Sequence, residues 1–290
     1  MTTLITGGGS QTGLRLAQIL KAHGKPFLIG SRSGKRVPAD YPTFKFDWHD
    51  FSTFQAPFAA GDKIDSVFVV GPDDYDPLPF VKPFIDLAVE KGVKRFVVLS
   101  ACSEHNERGP NAKEMGKVHT YVHEKGLDYV ALRLGWFTEN LITIYGDGIK
   151  EKNVIEGVVP NGRISFVAVD DIAEVAFKAI TDPDSLPSRE PNVLGPDFVS
   201  YKDVAAILTE VLGRVITYQT ITAEELKRRY TEIYCIDEEY ASAVVKIEQG
   251  IENGSEEKWL SDPRTVKGKV GVREWVEKNK NAFEAAGSAI

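Results

Sequence analysis

Only two cysteines occur in the 290 residues, Cys102 and Cys235, and they stand far apart with no metal or redox spacing. That scarcity excludes a disulfide scaffold, a zinc module and a C-x-x-C centre; both are read as reduced thiols of a reducing compartment. No apolar run approaches the roughly 18 residues of a membrane span. Positive charge is also short, 35 Lys and Arg against 42 Asp and Glu, a net charge of −7. This balance counts against nucleic acid or an anionic membrane as the main partner. No basic segment leads the N-terminus and Gly7 to Gly9 interrupt its apolar run, so no signal peptide is expected. Repeats, linkers and low-complexity tracts are missing as well. The expectation is a cytoplasmic α/β protein that binds a small molecule, without metal.

What is present is an alternation. "TLIT" (3–6) reads as a buried strand, and 12–23 follows as a helix with Leu14, Ala17 and Leu20 at helical spacing and Gly24 as its stop. Further strands are read at 25–30, 44–48, 65–71, 94–101 and 127–134, with helices at 80–91 and 111–125. This rhythm implies a parallel sheet with helices on both faces, a doubly wound α/β fold. Ligands of such sheets bind beyond the carboxyl ends of the strands. Those ends are 7–13, 30–32, 47–48, 71–75, 100–104 and 134–140, and they are expected to converge on one cleft.

Beyond about residue 142 the rhythm loosens. Residues 163–180 read as a strand, a cap at Asp170 or Asp171, and a helix returning to the sheet. Residues 191–213 read as strand, turn and helix, with Ser200 as N-cap, and 222–286 as mostly helical and strongly charged. The expected domains are 1–150, with 163–182 returning to it, and a smaller region 151–290 that folds over the cleft as a lid.

The opening glycines carry the first functional signal. In "ITGGGSQTG", Gly7 and Gly13 hold the outer places of a phosphate loop, and Ser10 stands where a G-x-x-G-x-x-G spacing puts its middle glycine. Ser10 is small, and its hydroxyl can donate to a phosphate oxygen. Gln11 and Thr12 open the helix and supply its positive end. The second strand then discriminates between cofactors. An acid about 20 residues past the loop would bind the ribose hydroxyl of NAD. Here the strand ends in "GSRSGKR": Ser31, Arg32 and Ser33, then Lys35 and Arg36. A guanidinium suits a 2′-phosphate, because its planar fork bonds two oxygens. The expected cofactor is NADPH/NADP.

Seven stretches, in order along almost the whole chain, make the pattern specific: "ITGGGSQTG", "SRS", "KGVKRFVVLSA", "MGKVH", "LRLGWFTENL", "ISFVAVDDIAEVAFKAI" and "VLGPDFVSYKDVAAILTEVLGR". On them the chain resembles the NmrA-like atypical short-chain dehydrogenases, and among these the fungal festuclavine and agroclavine dehydrogenases of alkaloid biosynthesis. The resemblance implies an extended Rossmann fold with a smaller, mostly helical C-terminal substrate domain. It places Gly7, Gly9, Ser10, Gln11 and Thr12 on the pyrophosphate, and Ser31 and Arg32 on the 2′-phosphate. Asp47 and Trp48 fall near the adenine, Gly71 and Pro72 beside the middle of the cofactor, Ser100 at the cofactor site, and Trp136 and Phe137 beside the nicotinamide. Leu134 departs from the family, which often has proline there.

A second absence bears on mechanism. Most short-chain dehydrogenases carry Tyr-x-x-x-Lys; at that spacing "MGKVH" has Met115 and His119. Reducing a carbonyl makes an alkoxide that needs a proton donor. An iminium carbon that accepts hydride becomes a neutral amine and needs none, so the substitution favours C=N⁺ over C=O. Lys117 lies one residue off the spacing and is expected to face elsewhere. His119 has three readings: a ribose contact, a weak proton donor or a packed core residue. In "GPDDYDP", Asp73, Asp74 and Asp76 either hold a cationic amine with Tyr75 stacked on it or simply make an exposed turn. The candidate catalytic residues are His119, Tyr75 and Asp74; the candidate substrate contacts are Asp73, Tyr75, Trp136 and Asn140. Three functions fit: reduction of a cationic indole-alkaloid iminium, that reduction coupled to an intramolecular cycloaddition, or a non-catalytic NADP-binding redox sensor.

Overall fold

A computed structural model describes residues 1–59 and 63–284. The chain divides into two compact units, Met1–Leu134 with Ile172–Val193, and Gly135–Asp171 with Leu194–Ile290. The first gives up 135–150, which the sequence reading had kept with it, and takes back the returning helix and one strand.

In the first unit, seven strands form a parallel sheet: β1 (Thr2–Ile5), β2 (Phe27–Ser31), β3 (Thr43–Lys45), β4 (Ile64–Val69), β5 (Arg95–Ala101), β6 (Asp128–Leu134) and β7 (Asn192–Leu194). They lie in the order β3-β2-β1-β4-β5-β6-β7. The order reverses direction between β1 and β4, and that switch point opens the crevice in which a doubly wound sheet binds its ligand. Ile5, the last residue of β1, pairs with Ile29 and with Phe68, so β2 and β4 run one or two residues past it on either side. Interior residues of the sheet, Leu4 and Ile5 of β1, Ile29 of β2, Val67 and Phe68 of β4, and Phe96 and Val97 of β5, are fully buried, as strands covered on both faces must be.

Helix α1 (Gln11–Ala22) buries Leu16, Ala17 and Leu20. Leu16, rather than the expected Leu14, completes that face; each fully buried leucine contributes about 1.5–3 kcal/mol. Helix α2 (Leu78–Glu90) presents Val81, Phe84, Ile85 and Ala88 to the sheet. Phe84 packs edge-on against Phe46, Trp48 and Phe54. Helix α3 (Met115–Glu124) begins four residues later than the periodicity predicts. The reason is tertiary: the Lys113 amide bonds to His105 O, and the Gly116 amide to the side chain of Asn106, so 111–114 serve as loop. The third strand is shorter than expected, ending at Lys45.

Helix α4 (Val169–Thr181) is not capped by Asp170 or Asp171. Both fall in its first turn, and the Val169 amide donates instead to Glu139 Oε1 at 3.0 Å. Asp171 accepts from the amides of Lys269 and Val270, fixing that segment. In the second unit, a parallel pair joins Val154–Gly157 to Thr217–Thr220, and an antiparallel pair joins Arg163–Ile164 to Val199–Ser200. Helix α5 (Tyr201–Leu212) starts at Ser200, whose hydroxyl accepts from the Asp203 amide while the Asp203 carboxylate accepts from the Ser200 amide. This reciprocal cap is the one its sequence announces. Helices α6 (Ala223–Glu232), α7 (Glu238–Glu252) and α8 (Val272–Lys278) follow, with a short strand at Thr265–Lys267. Positions 285 and 286 of the expected helical stretch lie outside the described residues.

Candidate cofactor site

The carboxyl ends of β1, β2 and β4 open on a cleft of about 700 Å³. Its floor is the glycine loop. Gly7 has φ +62, and a Cβ there would stand 2.8 Å from Val70 Cβ; a Cβ on Gly8 would meet Ile29 Cγ2 at 2.0 Å. Both positions therefore require glycine. Gly9 differs, since a Cβ there would find nothing nearer than the Arg36 side chain at 3.9 Å. The space above Gly9 is open to the cleft, as close approach by a phosphate demands.

Ser10 caps α1, its hydroxyl accepting from the Gly13 amide at 3.0 Å. Its other neighbour is the Thr12 hydroxyl at 3.5 Å. The amides of Gln11 and Thr12 have no protein acceptor among the described residues. They are the first-turn donors that every helix leaves unsatisfied, and an anion satisfies them. The loop residues present therefore fit a pyrophosphate.

One wall of the cleft is basic. Ser31, Arg32, Ser33, Lys35 and Arg36 line it, and Ser31 Oγ accepts from the Gly34 amide at 3.2 Å, shaping the turn. Arg32, Lys35 and Arg36 have no acidic partner among the described residues. Three uncompensated cations on one lip suit a terminal phosphate. The lining also carries carboxylates. His49, which sequence reasoning passed over, places Nε2 2.9 Å from Asp74 Oδ2 and Nδ1 3.7 Å from Asp47 Oδ1. Trp48 also lines the cleft, but it is buried and its indole donates to Val70 O at 2.9 Å, so it works as a wall anchored to β4. Gly71, Pro72, Asp73 and Asp74 complete that side.

The remaining expected residues are not among those lining this cleft. Tyr75 is half-buried and outside the cleft lining, and Asp76 is paired with Lys117. Ser100 ends β5, with its hydroxyl 3.4 Å from Asn106 Oδ1. Trp136, Phe137 and Asn140 belong to the second unit. There the Val167 amide donates to Trp136 O at 2.9 Å, Phe137 bridges to Val167, and Asn140 opens a short helix.

His119 is fully buried, with Nε2 3.1 Å from Glu190 Oε1 and its ring 5.6 Å from that of Tyr129. Burial pushes the Glu190 carboxyl up, but His119, the Tyr129 hydroxyl and the Arg108 charge outweigh it and hold it down to about 2. His119 is thus packed within the first unit rather than presented to the cleft. Met115 packs behind Gly71, which lines the cleft: a Cβ on Gly71 would lie 2.7 Å from its Sδ. Among the described residues no group of three or more His, Cys, Asp or Glu is placed to hold a metal, and no helix is long and apolar enough to cross a membrane.

A family model described as NAD(P)H-binding matches residues 7–183. Festuclavine synthase II of Penicillium roqueforti is 38% identical over 265 residues, covering 89% of this chain and 90% of that protein. Agroclavine dehydrogenase of Claviceps fusiformis is 36% identical, covering 98% and 99%. Among solved structures, an NADPH-dependent quinone oxidoreductase from Escherichia coli, complexed with NADPH, superposes with a TM-score of 0.74 at 18% identity, covering 96% and 100%. Triphenylmethane reductase from Citrobacter with NADP(H) superposes at 0.73 with 18% identity, covering 96% and 99%. These two share the fold.

Proposed function

The chain belongs to the NAD(P)H-binding oxidoreductase family that includes the festuclavine and agroclavine dehydrogenases, and on that premise we propose that it is an NADPH-dependent reductase of a C=N⁺ group in a clavine-type indole alkaloid. Bound NADPH supplies the hydride. The glycine loop and the α1 amides bind the pyrophosphate, and Arg32, with Lys35 and Arg36 beside it, holds the 2′-phosphate. The observation that carries the substrate assignment is Met115 against Gly71, with His119 buried on Glu190. No side chain at the expected acid position delivers a proton, and an iminium is the acceptor that needs none.

The test pairs a cyclic indole iminium with the matching ketone, following NADPH oxidation and products. Turnover of the iminium is expected, with the ketone inert. His119→Ala should slow the iminium reaction tenfold or less, against the 10²–10⁴ typical of losing a general acid. A thousandfold loss with normal NADPH binding would make His119 a proton donor and sink the reading. Product formed without NADPH would instead point to cyclisation, and cofactor binding without turnover to a sensor.

A further inference from the structure

The basic lip of the cleft carries more charge than one phosphate calls for. A phosphomonoester such as the 2′-phosphate holds about −1.5 to −2 at neutral pH, whereas Arg32, Lys35 and Arg36 together hold three positive charges. Two cations balance the 2′-phosphate. The third is left for another anionic group, and the fold selects which residue that is.

The turn after β2 sends Arg36 back toward the glycine loop. Gly34 takes φ +66, a conformation that side chains resist. Its amide donates to Ser31 Oγ at 3.2 Å, and the Val37 amide donates to Gly34 O at 3.0 Å, so 31–37 close on themselves. The Gly8 amide donates to Gly30 O at 2.9 Å and holds the start of the turn against the loop. Arg36 consequently lies over Gly9. Its Cβ and Cδ stand 3.9 and 4.0 Å from where a Cβ on Gly9 would be, while no atom of Arg32 or Lys35 comes within 4 Å of that point. The guanidinium begins at the nitrogen bonded to Cδ, so this charge belongs to the loop floor rather than to the end of β2. Arg36 is exposed, lines the cleft with Gly9 and Ser10, and has no protein acceptor among the described residues.

We propose that Arg36 binds the pyrophosphate of the cofactor together with the loop and α1 amides, leaving the 2′-phosphate to Arg32 and Lys35. The proposal rests on the cofactor reading of the cleft and divides its labour. Backbone amides carry only partial charge, so a full positive charge beside them completes the neutralisation of a dianionic bridge. A guanidinium fork bonds two oxygens at once, which neighbouring phosphoryl groups offer. Arg36 thereby raises affinity for a dinucleotide with or without a 2′-phosphate, and Arg32 decides between the two.

The test titrates NADPH, NADH and 2′-AMP, which has the 2′-phosphate without the pyrophosphate, into wild type, Arg36→Ala and Arg32→Ala. Fluorescence reads the dinucleotides and calorimetry reads 2′-AMP. Arg36→Ala should leave Tm unchanged, because the side chain has no protein partner. It should weaken NADPH and NADH by the same factor, about tenfold or more, as for the loss of a charge-assisted contact, and leave 2′-AMP unaffected. Arg32→Ala should show the other pattern, weakening NADPH and 2′-AMP while sparing NADH. An Arg36→Ala protein that binds NADH as wild type does overturns the proposal, as does one that loses as much affinity for 2′-AMP as for NADH. The reading of Arg32 fails separately, if Arg32→Ala weakens NADH as far as NADPH.

Discussion

Glu248 gives the stability of the second unit a pH dependence whose sign and size follow from its surroundings. Its side chain has no exposed surface, and the Tyr230 hydroxyl donates to Oε1 at 2.5 Å. Burial pushes the carboxyl from 4.5 up to about 7, with the Tyr230 bond working the other way. The folded state therefore holds this proton more tightly than the unfolded chain does. Its contribution is complete below about pH 4.5, is lost as pH rises to about 7, and is constant above that. A difference of about 2.5, at about 1.36 kcal/mol per pH unit, makes the loss about 3 kcal/mol. Glu256, pushed to about 7 by burial, loses stability over the same window. Asp86 and Glu190, each held down to about 2, lose theirs only in more acid solution, so the window is clear of them. Glu248→Gln keeps an acceptor for Tyr230 and cannot ionise. In denaturant unfolding at about pH 5 the variant should lie within about 1 kcal/mol of wild type; at about pH 8 it should be more stable by about 2–3 kcal/mol. An unchanged difference between the two proteins at the two pH values would refute the buried, proton-retaining carboxyl.

Two further outcomes concern the cofactor cleft. Arg32→Ala removes a charge-assisted contact worth about 1.5–3 kcal/mol, so NADPH affinity measured by fluorescence titration should fall roughly 10–100-fold while NADH affinity barely moves; equal weakening of both would show that Arg32 does not read the 2′-phosphate. Gly9→Val should fold normally, because a Cβ there meets only the Arg36 side chain at 3.9 Å, yet lose both cofactors, because the branched side chain fills the space above the loop; a well-folded variant that still binds NADPH would show that the loop does not cradle phosphate.

What could be read from the sequence was what local chemistry decides. The β1 run, the glycines behind it and Arg32 at the end of β2 lie within about thirty residues of one another, and their roles follow from strand period, turn geometry and charge. The Ser200 cap was legible for the same reason, since both partners of its reciprocal bond lie within one turn. Two misses have a distant partner: the start of α3 is set by Asn106 and the cap of α4 by Glu139. No periodicity encodes such pairings, because each requires the fold to exist first.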